Sequence, residues 1–286
     1  MYNYLNPDKI QEFIQFALME DVGSGDYTSL STIPETKNGM AKLIVKEAGI
    51  LAGLDLSLQI FNYVDSNFKI EIFKRDGDFI QIGDIVLEVE GNAQSLLKAE
   101  RLVLNCMQRM SGIATYTRKL VNILEGTKAK LLDTRKTTPN FRIAEKWACK
   151  IGGAVNHRYG LFDMILIKDN HVDFAGGIKN AIIKSNEYNI QNNLNLPIEI
   201  EVRNFKELEE VLEIGKIDRI MLDNFSPSDL RDAIRKINGR FTTEASGGIT
   251  EQTLRLYGET GVDFISVGAL THQIKSLDLS LKAKFQ

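Results

Sequence analysis

Ile10, Phe13, Ile14, Ala17 and Leu18 recur at helical spacing behind Asn6 and Pro7, a pair suited to a helix cap and its first turn. An amphipathic helix is therefore predicted at the start. After the Gly-rich segment DVGSGD the pattern changes. From Met40 to Gly91 short β-like runs (MAKLIVKE, FKIEIFK, DIVLEVEG) alternate with turns such as Asp76-Gly77-Asp78, which predicts a small sheet with helices against it. From Ser95 to about Leu124 the apolar spacing is helical again. Gly112 stands in this stretch as a break or a close-packing point between two helices, and the stretch links two domains.

Beyond the linker comes a strand-helix alternation: AKLLD, DMILIK, PIEIEV, RIMLD, FTTEA and DFISV, with helical patterns between most of them. This predicts parallel α/β structure. The helices carry their own punctuation, with Asn204 and Glu207 as a capping box, Ser226-Pro227 as cap and first turn, and Gly239 as a stop. The asparagine-rich stretch Asn189–Asn195 reads as a surface loop before a strand.

A chain of 286 residues with 43% hydrophobic content can fill a barrel-sized core, alone or with a smaller companion domain. Lys plus Arg (35) nearly balance Asp plus Glu (38), which argues against nucleic acid as a partner. The polar start from Met1 to Phe13 lacks a signal-peptide pattern and no apolar run approaches membrane-spanning length, so a cytoplasmic protein without membrane contact is expected. Cys106 and Cys149, the two cysteines, read as helical core rather than as a redox pair.

Polar groups recur at the carboxyl ends of the predicted strands: Asp133 to Lys136, Lys168, Glu201, Asp223, Ser246 and Gly268. In a (β/α) barrel those ends converge on the face where active sites are built. Ser246-Gly247-Gly248 follows a strand and precedes a helix that Thr250 caps, so it offers backbone N–H groups to a phosphate. Val267-Gly268-Ala269 is a second such turn; a lone Gly-Gly is more often an ordinary turn, but loops after the last two barrel strands often form a phosphate site together.

Arg135, Lys136, Arg142, His157, Arg158 and Lys168 concentrate cations between Asp133 and His171, which a polyanionic ligand would explain. For Arg142, Lys146 and Lys150, on one helical pattern, a solvated basic face is an equal alternative. Glu199 and Glu201 share one face of a strand by alternation, and Asp223 ends the next strand. These carboxylates suit Mg²⁺ or sugar hydroxyls, or else salt bridges to neighbouring lysines. His157, His171 and His272 are the only histidines and form no local zinc motif.

DTRKTTPNFR (Asp133–Arg142), GGAVNHRYGL with DMILIKDNH (Gly152–His171), MLDNF, EASGGI and VGALTH resemble segments of quinolinate phosphoribosyltransferases. EDVGSGDYTS, KEAGILAG and AERLVLNCMQRMSGIAT extend the resemblance to nearly the whole chain. It implies the type II phosphoribosyltransferase fold, an incomplete α/β barrel plus an α/β sandwich. Residues 1–108 would be the sandwich with its linking helix, 109–272 the barrel, and the tail 273–286 would pack back on the sandwich. The resemblance further implies quinolinate and phosphoribosyl pyrophosphate as substrates, and a homodimer in which Arg101 reaches the partner subunit's site. Arg135, His157 and Arg158 would bind the substrate carboxylates, and Lys136 and Lys168 would contact substrate or pyrophosphate. Glu201 and Asp223 would hold ribose hydroxyls and Mg²⁺, directly or through water. Ser246, Gly247, Gly248 and Gly268 would cradle the 5-phosphate, with His272 also counted among the substrate-binding residues. Ala154, Asn140-Phe141 and Gln273 depart from the family's usual residues.

The expected reaction forms nicotinate mononucleotide, pyrophosphate and carbon dioxide. Another type II phosphoribosyltransferase, acting on nicotinate or a related ring, would keep the same phosphate turns, whereas Arg135, His157 and Arg158 together suit a dicarboxylate. A barrel that only binds phosphorylated sugars as a regulator would gain little from Lys136, Lys168, Glu201 and Asp223.

Overall fold

The computed structural model describes residues 4–283, so residues 1–3 of the polar start and 284–286 of the tail lie outside the described residues. The chain opens with α1 (Pro7–Val22) and α2 (Tyr27–Thr32), continues through β1 (Asn38–Val45), β2 (Gly49–Ile50), α3 (Leu54–Val64), β3 (Lys69–Ile72), β4 (Phe79–Ile80) and β5 (Ile85–Asn92), and enters α4 (Ala93–Ile123). Strand-helix alternation follows: β6 (Lys130–Leu132), α5 (Arg142–Gly152), β7 (Ile165–Ile167), α6 (Asp169–Ala175), α7 (Ile178–Gln191), β8 (Ile198–Val202), α8 (Phe205–Ile214), β9 (Arg219–Asp223), α9 (Pro227–Ile237), β10 (Thr242–Ser246), α10 (Glu251–Gly258), β11 (Phe264–Ser266) and α11 (Ala269–His272). β12 (Leu279–Ala283) ends the described chain. Among the described residues no helix is long and apolar enough to cross a membrane.

Two compact units result. One takes the chain up to Arg118, Lys136–Gly153 and the residues from Ala269 onward; the other takes Lys119–Arg135 and Ala154–Gly268. These limits differ from a division at 108/109 and 272/273, because α4 carries its packing with the first unit past residue 108 and α5 groups with that unit as well.

In the first unit β12, β1, β5 and β3 form an antiparallel sheet in that order. Along β1 the side chains alternate, with Ala41, Leu43 and Val45 buried, so one face meets the core and the other solvent. β12 occupies the edge of β1 and buries Leu279 and Leu281, which satisfies backbone groups that would otherwise be an exposed strand edge. α3 supplies Leu54, Leu56, Ile60 and Phe61, all buried.

The second unit is a parallel sheet in the order β6-β11-β10-β9-β8-β7, with Val155 bridging beyond β6 to Leu132. Among the described residues β7 pairs with β8 alone and leaves this incomplete barrel open on that side. Every residue of β8 is buried, as befits a strand covered on both faces. The helix signals hold at Asn6, which accepts from Lys9 N–H, and at Ser226, which accepts from Asp229 N–H. At α8 the reciprocal bond is displaced: Asn204 accepts from Glu207 N–H, while Glu207 accepts from Arg203 N–H rather than from Asn204. α7 runs on to Gln191, so the polar loop begins at Asn192.

Gly112 does not break α4, which is continuous for 31 residues. It is a contact point instead, because a Cβ there would collide with the carbonyl oxygen of Lys275 and touch Ile274. Gly112→Ala gains about 1 kcal/mol in helix propensity. It also forces a backbone shift of the overpacking kind, worth about 1–3 kcal/mol. The variant is expected to unfold at lower urea concentration than the parent; an unchanged or higher midpoint would show that the segment at Lys275 yields without cost.

Candidate active site

The interior of the barrel unit holds ionisable groups where aliphatic side chains would ordinarily pack. His157, Glu199 and Glu244 are buried, with Nε2 of His157 lying 3.0 Å from Glu199 Oε2 and 3.4 Å from Glu244 Oε2. Arg219 at the start of β9 reaches Glu244 at 2.9 Å and Glu199 at 3.9 Å, and its guanidinium stacks on Phe264. Burial and the charge of Glu244 push Glu199 up to about 7. Burial acts on Glu244 too, but His157 and Arg219 outweigh it and hold that carboxyl below its ordinary value. At His157 burial opposes the charge, yet the two carboxylates prevail and raise the imidazole to about 9. The amide of Arg158 points at His157 Nδ1 from 2.7 Å and stands where a second ring proton would sit. Geometry therefore favours the Nε2–H tautomer, with the full charge reached only when that amide turns away. The three ligand atoms lie within 4.8 Å of one another, a spacing that suits a metal ion, but Arg219 already supplies a positive charge to the same carboxylates.

Asp133, fully buried after β6, accepts from His157 N–H at 2.8 Å and from Asn156 Nδ2 at 2.6 Å. It thereby fixes the segment that follows Val155. His157 turns both ring nitrogens toward protein partners, whereas the guanidinium of the adjacent, buried Arg158 reaches Met164 O at 3.4 Å. Burial lowers the pKa of Arg158 and the Arg135 charge lowers it further, against the opposing pull of Glu199 and Asp163. Like charge thus acts on a buried guanidinium, a cost that a bound anion would offset. A cavity of about 340 Å³, lined by Arg158, Met164, Ile167 and His171 among others, opens beside β7.

Lys168 stands at the end of β7 as the N-cap of α6, half exposed, with Nζ 3.7 Å from Glu201 Oε2. His171 accepts from Lys168 N–H at 2.9 Å and so ties down the backbone that carries the lysine. Glu201 lies two residues beyond Glu199, so the same strand face presents one carboxylate to the buried cluster and the next to the strand's end. Burial raises the pKa of Glu201, with Asp223 and Asp169 adding to the effect and Lys168 opposing it. Asp223 accepts from the side chain of Asn224 at 2.6 Å. Asn224 has a left-handed backbone (φ 56) and donates its own amide to Ser246 O.

Ser246-Gly247-Gly248 turns sharply after β10, with φ of 92 at Gly247 and 61 at Gly248. A Cβ on Gly247 would collide with the Asn224 side chain, whereas one on Gly248 would meet open space. Thr250 caps α10 through a reciprocal arrangement with Thr253. β10 and β11 are parallel neighbours, which brings the turn at Ser246 and the residues after Ser266, including Gly268, to the same edge of the sheet.

In the sandwich unit, Lys136 and His272 are exposed and line a cavity of about 420 Å³ with Arg109, Thr137 and Thr138. Arg101 is exposed on α4 and, among the described residues, has no ion-pair partner. Lys146 is buried, contrary to a solvated basic face, while Lys150 is exposed and Arg142 donates to Thr137 Oγ1. Asn140 adopts a left-handed conformation (φ 61), which asparagine tolerates where glycine is the easier residue. Phe141 packs on Phe13 with ring centroids 5.7 Å apart.

Sequence reasoning reached most strand-end residues but not Arg219, Glu244, Asn224 or Arg109. For Glu199 it offered metal, hydroxyls or lysines, and the neighbours are His157 and Arg219 instead. The signal available for Glu244 was its position two residues before Ser246, on the same strand face.

The family profile for the quinolinate phosphoribosyl transferase N-terminal domain matches residues 26–111, and that for the C-terminal domain matches residues 113–282. The chain is 46% identical to the chloroplastic nicotinate-nucleotide pyrophosphorylase [carboxylating] of Arabidopsis thaliana, over 96% of this chain and 82% of that protein. It is 40% identical to the probable nicotinate-nucleotide pyrophosphorylase [carboxylating] of Bacillus subtilis (strain 168), over 97% and 94% of the two chains. The crystal structure of NadC from Streptococcus pyogenes superposes with a TM-score of 0.91 at 39% identity, covering 98% of each chain. By fold and by similarity along nearly its whole length, the chain belongs to the quinolinate phosphoribosyltransferase family.

Proposed function

We propose that this chain transfers the phosphoribosyl group of phosphoribosyl pyrophosphate to the ring nitrogen of quinolinate and releases pyrophosphate and carbon dioxide, with nicotinate mononucleotide as product. The observation that carries the reading is the buried Arg158 at the lining of the cavity beside β7, a guanidinium whose pKa burial and the charge of Arg135 lower and whose cost a dicarboxylate would relieve. His157 supports the same substrate indirectly, because its buried carboxylate partners hold it beside Arg158. The turns at Ser246-Gly247-Gly248 and Gly268 would cradle the 5-phosphate, Gly248 having the open space that such a ligand needs.

The chemistry needs charge stabilisation more than a covalent nucleophile. As the bond from C1 of the ribose to pyrophosphate lengthens, C1 becomes oxocarbenium-like, and the pyridine nitrogen attacks from the opposite face with inversion. Lys168 and Lys136 would offset the charge of the departing pyrophosphate, while Glu201 and Asp223 would bind ribose hydroxyls. Glu201 and Asp223 also form a carboxylate pair that suits Mg²⁺, which takes one or two carboxylates and completes its sphere with water and substrate phosphate oxygens. Bound there, Mg²⁺ would supply further positive charge to the leaving group. Ribosylation turns the ring nitrogen into a pyridinium, whose charge stabilises the electron pair left on the adjacent ring carbon when its bond to the carboxylate breaks and carbon dioxide leaves; a proton from solvent then bonds to that carbon, so decarboxylation needs no other cofactor.

The reading also includes a homodimer in which Arg101 serves the partner subunit's site, which fits an exposed arginine without an ion-pair partner among the described residues.

Incubation of the pure protein with quinolinate, phosphoribosyl pyrophosphate and Mg²⁺ is expected to yield nicotinate mononucleotide. Faster product formation from nicotinate than from quinolinate would overturn the assignment. For the dimer, Arg101→Ala and Lys168→Ala are each expected to be inactive alone. In a mixed dimer one site receives both defects and the other neither, so co-refolding should restore up to about half the native activity per mixed dimer. Mixed dimers verified by differential tagging that stay inactive would remove Arg101 from the partner's site.

A further inference from the structure

Arg109 makes four side-chain hydrogen bonds, and no step of the reaction above uses it. Its Nε and Nη2 donate to Glu145 Oε1 at 3.1 and 2.9 Å, Nη2 also donates to Thr271 O at 2.5 Å, and Nη1 donates to Ile274 O at 2.8 Å. Glu145 is fully buried in the first turn of α5. It has no water to fall back on, and Arg109 neutralises its charge. The same carboxylate accepts from Thr138 N–H at 3.0 Å on Oε2 and from Thr138 Oγ1 at 3.0 Å on Oε1. Thr271, whose carbonyl Arg109 grips, donates its own hydroxyl to Lys136 O at 2.6 Å.

The network therefore closes on Lys136 from both sides. Thr138, two residues after Lys136, is clamped by Glu145, and the Lys136 carbonyl is clamped by Thr271. His272, next to Thr271, is held by the Arg109 contacts to Thr271 and Ile274 that flank it. Lys136, Thr138, Arg109 and His272 line one cavity, and all these residues belong to the same compact unit. A lysine has a flexible stem, so its ammonium is aimed only as well as its backbone is fixed. Four contacts from a rigid guanidinium fork are a large investment at an exposed loop unless the aim of that loop matters.

We infer that Arg109 and Glu145 are positioning residues for Lys136 and His272, acting on the pyrophosphate-bearing substrate without touching it. The inference rests on the reading of Lys136 as a ligand of phosphoribosyl pyrophosphate. It makes a claim that a merely stabilising ion pair does not: the kinetic effect of breaking the pair should pass through Lys136.

A double-mutant cycle tests it. Glu145→Gln keeps the side-chain shape and removes the charge, and Arg109→Lys keeps a charge and loses the fork. Each is expected to lower kcat/KM for phosphoribosyl pyrophosphate by about 10- to 100-fold, the size of effect that a small misplacement of a binding group produces. The calorimetric Kd for quinolinate should change by less than about threefold, since Arg135 and Arg158 are not in the network. In a Lys136→Ala background the same substitutions should cost less than about twofold more, because coupled groups are non-additive. Equal losses in both backgrounds, or wild-type kinetics in both single variants of verified fold, would overturn the inference. If Glu145→Gln does not fold, Arg109→Lys carries the cycle alone. A parent protein that does not turn over quinolinate with phosphoribosyl pyrophosphate would instead refute the proposed function. A Lys136→Ala protein as active as the parent would refute the role of Lys136.

Discussion

Buried charge inside the barrel constrains everything above it. Glu199, Glu244 and His157 lie where no water can solvate them, so they must be neutralised by one another and by the part-buried Arg219, or carry protons. A strand rises two residues for each step along one face, and the positions after these groups are fixed by that period. Glu199 is followed on its face by Glu201, Glu244 by Ser246, and Arg219 by Met221 and Asp223. The ionic floor thus sets the height and orientation of the side chains that meet a ligand. It also fixes the imidazole of His157, and through the chain the neighbouring Arg158.

This arrangement explains why the strand ends can afford such concentrated charge. Arg135 and Arg158 disfavour each other, and Glu201 and Asp223 do the same. Lys168 offsets part of the repulsion at Glu201, and Glu199 and Asp163 offset part of it at Arg158. Preorganised groups of this kind cost stability in the free protein and return it when charge develops during reaction. The floor is rigid enough to bear that cost because its own charges are paired in register, Glu199 opposite Arg219 across β8 and β9.

The sequence revealed the frame because parallel strands and their intervening helices impose strong periods and caps. The runs AKLLD, DMILIK, PIEIEV, RIMLD, FTTEA and DFISV correspond to β6 through β11, and Asn6 and Ser226 cap as read. What escaped is long-range pairing. Nothing local says that Arg219 meets Glu244, or that Arg109 meets Glu145 across 36 residues, since each looks like an ordinary charge on an ordinary element. Lys146 reads as part of a basic helical face, yet it is buried. Gly112 was ambiguous because a glycine within a helical pattern signals either a break or a close approach, and only the position of Lys275 decides which.

The central claim is that the guanidinium pair beside the ionic floor recognises two carboxylates of one substrate. Isothermal titration of folded Arg158→Ala with quinolinate and, separately, with phosphoribosyl pyrophosphate addresses it directly. Quinolinate affinity is expected to fall by about 2–5 kcal/mol, the cost of truncating one partner of a desolvated charge pair, while phosphoribosyl pyrophosphate binds nearly as before. An equal loss of affinity for both substrates would contradict the claim.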